Sequence, residues 1–310
     1  MPQPNPKHAA VLGAGTIGAS WAAFFLARGI EVTLWDPAPG ARDMVCRYIE
    51  TAWPALQKIN MVQGASAGAW RFCSTPEEAV RGTDFVQENA PERMPVKRDL
   101  YARIDPVLPD HAILASSSSG LIMTELQSGF RMAPRMAIGH PFNPPHLIPL
   151  VEVVAGQQTR RETVQWCLDF YNANGKRAIE IRKEAPGHLA NRLQAALYRE
   201  AISAVLSGLA TVEDVDTAIS AGPGLRWAIF GPHMTFHLGG GEGGMPHMLN
   251  QFGPVFEEWW KTMDTPAMTD EARRQIITGV NEAAQGRSIA ELARERDALL
   301  IQLLEIVARR

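Results

Sequence analysis

The sequence predicts an α/β protein: a doubly wound, mainly parallel sheet followed by an all-helical C-terminal domain. Three observations carry that reading. The chain opens on an apolar strand, a glycine-rich turn, a helix and a second strand ending in an acid. Strand and helix patterns then alternate to about residue 181, and from Pro186 onward long helical patterns take over. Such alternation means parallel strands joined by helical crossovers that cover both faces of one sheet.

The opening segment is Ala9-Ala10-Val11-Leu12 followed by Gly13-Ala14-Gly15-Thr16-Ile17-Gly18. Gly13 permits the tight turn, Gly15 lets backbone approach a pyrophosphate, and Gly18 lets helix and strand pack closely. The phosphates would sit on the free N–H groups of the following helix. Asp36, at the tip of Glu31-Val32-Thr33-Leu34-Trp35, is placed to accept bonds from the adenosine ribose hydroxyls. A carboxylate there repels a 2′-phosphate and favours NAD over NADP. A glycine turn without a ligand is the ordinary alternative, but two strands, a helix and an acid in register argue for a Rossmann-type NAD site.

The remaining elements follow in order. Residues 41–62 read as one or two helices, 70–73 as a short strand and 84–87 as the next. A helix is expected over 96–104 and a strand over 112–115. Strands at 136–139 and 150–154 flank the proline-rich Pro141-Phe142-Asn143-Pro144-Pro145. A helix over 162–173 leads to a last strand at 177–181. Beyond it, helical patterns cover about 188–207, 212–220, 244–261, 269–284 and 288–308, joined by glycine-rich turns. The expected organisation is an NAD-binding domain over 1–185 and a helical substrate-binding and dimerisation domain over 186–310.

Composition narrows the function. The 310 residues are 46% hydrophobic and 20% charged, as in a soluble globular protein. A net charge of −3 offers no surface for nucleic acid. No apolar run reaches the roughly 20 residues needed to cross a bilayer, so no membrane partner is expected. Cys46, Cys73 and Cys167 have no metal-ligand spacing, and no metal is expected. The odd thiol, with a first strand starting too early to leave room for a signal peptide, leads us to expect a cytoplasmic protein.

In an open parallel sheet, ligands collect beyond the carboxyl ends of the strands. Ser116-Ser117-Ser118-Ser119 and His140 lie at such ends, and Asn191 follows the domain boundary. Glu152 stands among valines in Leu150-Val151-Glu152-Val153-Val154, where a carboxylate needs a partner. His140 supplies one if the two strands are neighbours. A His–Glu pair fixes the imidazole tautomer and makes the free ring nitrogen a base, which alcohol oxidation requires. Ser119 and Asn191 could then hold the reacting oxygen. Singly, each residue has a bland alternative, as a helix cap or a satisfied structural histidine. Their coincidence at the ligand edge favours catalysis.

On these motifs, with His140-Pro141-Phe142-Asn143-Pro144 and Pro186-Gly187-His188-Leu189-Ala190-Asn191-Arg192, the chain resembles the short-chain L-3-hydroxyacyl-CoA dehydrogenases and their relatives over essentially its whole length. The resemblance implies a His140–Glu152 catalytic dyad, with Ser119 and Asn191 on the reacting oxygen. It also implies that Glu92 and Lys97 lie near the nicotinamide half of the cofactor, and that the helical domain forms a homodimer. For Glu92 and Lys97 the bland alternative is a solvated helix start.

The chain departs from the CoA-ester enzymes at residues 41–70, which carry one lysine, Lys58, and the arginines Arg42 and Arg47, too little charge for a CoA phosphate. The run Asn143 to Pro149 resembles the branch acting on free small hydroxy acids. Gly222 to Pro232 and His237 to Met245 resemble most the carnitine-oxidising members, and less the sister branch acting on gulonate. The implied substrate is thus a quaternary-ammonium 3-hydroxy acid held in the interdomain cleft. A trimethylammonium is held by aromatic faces, and Phe142, Asn143, Trp227 and Phe252 are the expected substrate residues. Arg192 or Arg226 could meet the carboxylate. Other readings are a gulonate or acyl-CoA dehydrogenase, or a non-catalytic NAD-binding structural protein, which an NADH assay separates.

Overall fold

The computed structural model describes residues 6–59 and 61–308. It divides into two compact units, Met1–Asn191 and Arg192–Arg310. The first is built on one eight-stranded sheet. In chain order its elements are β1 (His8–Leu12), α1 (Thr16–Ala27), β2 (Glu31–Trp35), α2 (Ala41–Ile59), β3 (Trp70–Phe72), α3 (Pro76–Val80), β4 (Phe85–Glu88) and α4 (Met94–Ile104). There follow β5 (Ile113–Ser116), α5 (Met123–Gln127), β6 (Met136–Pro141), β7 (Leu150–Ala155), α6 (Arg161–Ala173) and β8 (Arg177–Ile181). Helix α7 (Ala190–Leu206) starts at the junction.

The strand order is β3-β2-β1-β4-β5-β6-β7-β8. Every neighbouring pair is parallel except β6 and β7, which run antiparallel. The order reverses between β1 and β4, and such a switch point opens a ligand crevice at the carboxyl edge.

Each face of the sheet has its own core, because successive side chains on a strand point to opposite faces. Val11, Phe85, Ala115, Val151 and Val153 pack with Trp21, Phe24, Phe25, Phe170 and Tyr171 on one face. Leu12, Val86, Leu114, Ile138 and Val154 pack with Leu100, Tyr101 and Ile104 on the other. Helix α1 is buried from Gly18 to Ala27, so it has no solvent face and reads as apolar all round. Burying each of its large side chains contributes about 1.5–3 kcal/mol.

The second unit is helical: α8 (Val212–Ser220), α9 (Pro223–Ile229), α10 (Pro232–Gly239), α11 (Gly244–Thr262), α12 (Asp270–Ala284) and α13 (Ile289–Ala308). Helices α9 and α10 fall where the sequence suggests glycine-rich turns. Each is short and starts with a proline at its first position, following Gly222 and Gly231. The short α3 and α5 are likewise absent from the sequence reading; α3 is capped by the Thr75 side chain, which accepts from the Glu78 N–H at 3.1 Å. Among the described residues no helix is long and apolar enough to cross a membrane.

Candidate active site

The reversal of β7 sets His140 directly opposite Glu152. Both residues share a sheet face, and Nδ1 of His140 lies 2.9 Å from Oε2 of Glu152. Both side chains are buried. The other oxygen, Oε1, accepts the N–H groups of Leu189 at 3.0 Å and Ala190 at 2.8 Å, at the start of α7. Burial alone pushes this carboxyl's pKa up, but the bonds from His140, Ala190 and Leu189 more than offset it and hold the group below its usual range. Glu152 is therefore charged and can only accept. The proton of a neutral His140 is fixed on Nδ1, and Nε2 is left as the basic lone pair.

Two rings pack against His140. Phe142 meets it edge-on with centroids 5.0 Å apart. His188 lies at 5.2 Å, and sequence reasoning missed it; its only signal was an unexplained histidine three residues before Asn191. Asn143 is exposed in the loop after β6. That loop is pinned by Lys176, whose Nζ donates to the carbonyls of Pro145 and, at 3.1 Å, Ile148. The ammonium also sits 4.9 Å from the Trp21 ring and 4.1 Å from that of Phe24.

Three of the four serine hydroxyls are committed. Ser116 donates to Glu88 at 2.6 Å, Ser117 to Asn89 at 2.6 Å and Ser118 to Glu92 at 2.7 Å. The half-buried Ser119 keeps a hydroxyl without a protein partner among the described residues, as a contact to substrate oxygen requires. Its N–H, with those of Gly120 and Leu121, converges on Oε1 of Glu92 at 3.0, 2.7 and 3.3 Å. Burial raises the pKa of Glu92, but the Ser118 hydroxyl, the Gly120 N–H, the Lys97 ammonium and the Leu121 N–H prevail and lower it. Asn191, the second residue of α7, is half-buried.

Lys97 is not part of a solvated helix start. Its Nζ is sealed from solvent, 2.8 Å from Glu88 Oε1 and 2.9 Å from the Ala90 carbonyl, with Glu92 at 3.9 Å. Glu88, an acid closing the apolar strand β4, is the partner sequence reasoning overlooked. Its Oε2 also accepts from the Tyr101 hydroxyl at 2.6 Å.

The glycine turn has the shape of a phosphate cradle. Gly13 has φ +86°, and a Cβ there would come within 2.6 Å of the Asn89 carbonyl. A Cβ on Gly18 would stand 1.8 Å from the Gly13 oxygen, whereas one on Gly15 would meet nothing within 4 Å. The space that Gly15 leaves open faces the start of α1, whose first turn holds no acid. Ala14, Thr16 and Ile17 complete the turn, so a diphosphate fits an open, positively polarised helix end. Asp36 is tied to this loop: Oδ2 accepts the Ala14 N–H at 2.6 Å and Oδ1 the Ala38 N–H at 2.8 Å. A carboxylate has further lone pairs for ribose hydroxyls. These residues fit NAD. Among the described residues no group of three or more His, Cys, Asp or Glu side chains is placed to hold a metal.

Trp227 and Phe252 belong to the second unit. Trp227 is half-buried on α9, and Phe252 is exposed on α11 with its ring 6.5 Å from Phe256.

Residues 8–185 match the 3-hydroxyacyl-CoA dehydrogenase NAD binding domain, and residues 187–277 the C-terminal domain of the same family. The chain is 48% identical over 305 residues to an L-carnitine dehydrogenase of Streptomyces coelicolor, covering 98% of this chain and 96% of that one. To the L-carnitine dehydrogenase of Pseudomonas putida it is 44% identical, covering 97% and 94%. Among solved structures, an NAD-dependent 5-formyl-3-hydroxy-2-methylpyridine 4-carboxylic acid 5-dehydrogenase superposes with a TM-score of 0.84 at 28% identity, covering 98% of this chain and 99% of that one. The (S)-3-hydroxybutyryl-CoA dehydrogenase of Ralstonia eutropha gives 0.66 at 25% identity, covering 89% and 95%. With the dyad, the dinucleotide cradle and both domain matches in place, the chain belongs to the 3-hydroxyacyl-CoA dehydrogenase family and binds NAD.

Proposed function

We propose that this protein oxidises the C3 hydroxyl of L-carnitine to 3-dehydrocarnitine with NAD. The observation that carries the chemistry is the buried His140–Glu152 pair, 2.9 Å apart; the substrate rests on the carnitine dehydrogenases named above. Bound NAD supplies the hydride acceptor. His140 takes the hydroxyl proton on Nε2, and the imidazolium that forms is stabilised by Glu152. The Leu189 and Ala190 N–H groups keep Glu152 charged, so the proton stays on the imidazole. Ser119 and Asn191 hold the oxygen as charge develops on it. Asp36 accepts the ribose hydroxyls, the Gly13–Gly18 turn takes the diphosphate, and Glu92 with Lys97 fixes the turn near the nicotinamide. Phe142 offers an aromatic edge beside His140 to the substrate.

Purified protein with NAD is expected to form NADH on addition of L-carnitine. Faster turnover of L-gulonate or 3-hydroxybutyryl-CoA would reject the substrate assignment, and no turnover of any of the three would reject the enzyme.

The assembly proposed is a homodimer through the helical unit. Among its described residues that unit buries few large apolar side chains, Ile202, Val205 and Met248, and exposes Leu249, Trp259, Trp260, Ile277 and Leu299. So much exposed apolar surface marks an association face; light scattering after size exclusion tests it. The three free cysteines suit a reducing compartment, and a cytoplasmic location is proposed.

A further inference from the structure

His188 is a second imidazole beside the dyad that the proton transfer leaves unused. Its Nε2 lies 2.9 Å from the Ser118 carbonyl oxygen, which only accepts, so Nε2 carries the proton. Nδ1 is then a bare lone pair. It is buried, on a side chain only 4% exposed, and has no hydrogen-bond partner among the described residues. Leaving a buried acceptor unpaired is costly, and it is expected where a ligand completes the set. The backbone adds a second cost. His188 has φ +49°, a left-handed conformation that non-glycine residues seldom adopt, directly after Gly187 at +77°. Burial pushes the His188 pKa down, so the ring stays neutral.

The substrate's chemistry suggests what meets that lone pair. Carnitine has one O–H donor, at C3, and its proton goes to His140. Its other polar groups are a carboxylate, which a lone pair repels, and a trimethylammonium. The ammonium nitrogen is bonded to C4, so it lies about 3–4 Å from the reacting oxygen. A group that recognises it must therefore stand close to His140, as the His188 ring does at 5.2 Å.

We propose that His188 is a specificity residue whose Nδ1 lone pair faces the trimethylammonium, with the Phe142 ring also against His140; this rests on the carnitine reading. A neutral imidazole attracts the positive methyl surface without needing a donor, as an aromatic face does. The bond to Ser118 prevents the alternative tautomer, which would turn an N–H toward the cation.

The test compares L-carnitine with 3-hydroxy-5,5-dimethylhexanoate, the isostere in which a neutral tert-butyl group replaces the trimethylammonium, in wild type, His188→Asn and His188→Gln. Asparagine tolerates left-handed backbone, and glutamine keeps an acceptor within reach. For His188→Asn we expect KM for carnitine to rise about tenfold, the scale of one cation contact. Its kcat and KM for the isostere should change less than threefold, and His188→Gln should recover most of the carnitine affinity. Equal losses for both substrates, or a fall in kcat alone, would overturn the proposal. If neither variant folds, histidine ¹⁵N NMR of the wild type with NAD decides: the Nδ1 signal should move with carnitine and not with the isostere, and equal movement overturns it. Should wild type fail to oxidise carnitine, the functional reading falls and this inference with it. Turnover with unchanged discrimination removes the inference alone.

Discussion

Lys97 and Glu88 form a 2.8 Å ion pair with both side chains closed to solvent, beneath the turn that bears Glu92. Breaking such a pair from one side strands the other charge, and the cost exceeds what the intact pair contributes. Lys97→Met should lose about 3 kcal/mol of stability in urea unfolding. The double variant Glu88→Gln, Lys97→Met should recover part of it, since Gln needs no counter-charge. A double variant no more stable than the single would mean that the lysine acts by packing.

His140→Ala should lower kcat by about a hundredfold to ten-thousandfold, the range for loss of a general base, while the dissociation constant for NAD changes less than twofold by calorimetry. Glu152→Gln should lower kcat at least about a hundredfold, because an amide can donate to Nδ1 and move the ring proton to Nε2. Loss of NAD binding in His140→Ala would show a structural histidine.

The glycines should separate by measurement. Gly15→Ala has free space around its Cβ, so its melting temperature should match wild type while NAD affinity falls about tenfold. Gly18→Ala drives a methyl into the Gly13 carbonyl and should cost about 1–3 kcal/mol of stability. A Gly15→Ala enzyme with normal NAD affinity would remove the diphosphate from that turn.

Lys176 gives a pH signature. Burial, with the nearby Arg28 charge, pushes its pKa down from 10.5 to about 7. Between about pH 7 and 10.5 the unfolded chain therefore binds a proton that the folded chain does not, so Lys176's contribution to stability rises with pH across that window. Below about 7 both states are protonated and the contribution levels off at its least favourable value. Lys176→Met should remove this slope from denaturant titrations across that range; an unchanged slope would assign it to another group.

The parts most legible in the sequence were those that violate a local expectation. Glu152 among valines has few explanations besides a buried partner, and three glycines at fixed spacing before an apolar helix have one dominant use. The strands were readable because both faces of the sheet are covered, which gives short apolar runs. What stayed hidden was set by tertiary contacts. Glu88 and Lys97 are nine residues apart, and nothing local says that both are buried. His188 acquires meaning only when β6 places His140 beside it. Helices α9 and α10 are too short for periodicity to outweigh their glycines.

The single antiparallel pairing, β6 with β7, makes the length of the 142–149 connection a fixed quantity. Adding or deleting one residue there slides β7 by one position against β6, and a one-position slide exchanges the two sides of a strand. Val151 or Val153 would then occupy the place opposite the histidine, and the acid would be driven into the aromatic layer around Phe170. Engineered loops at this corner must preserve the residue count, or be paired with a compensating change inside the strand.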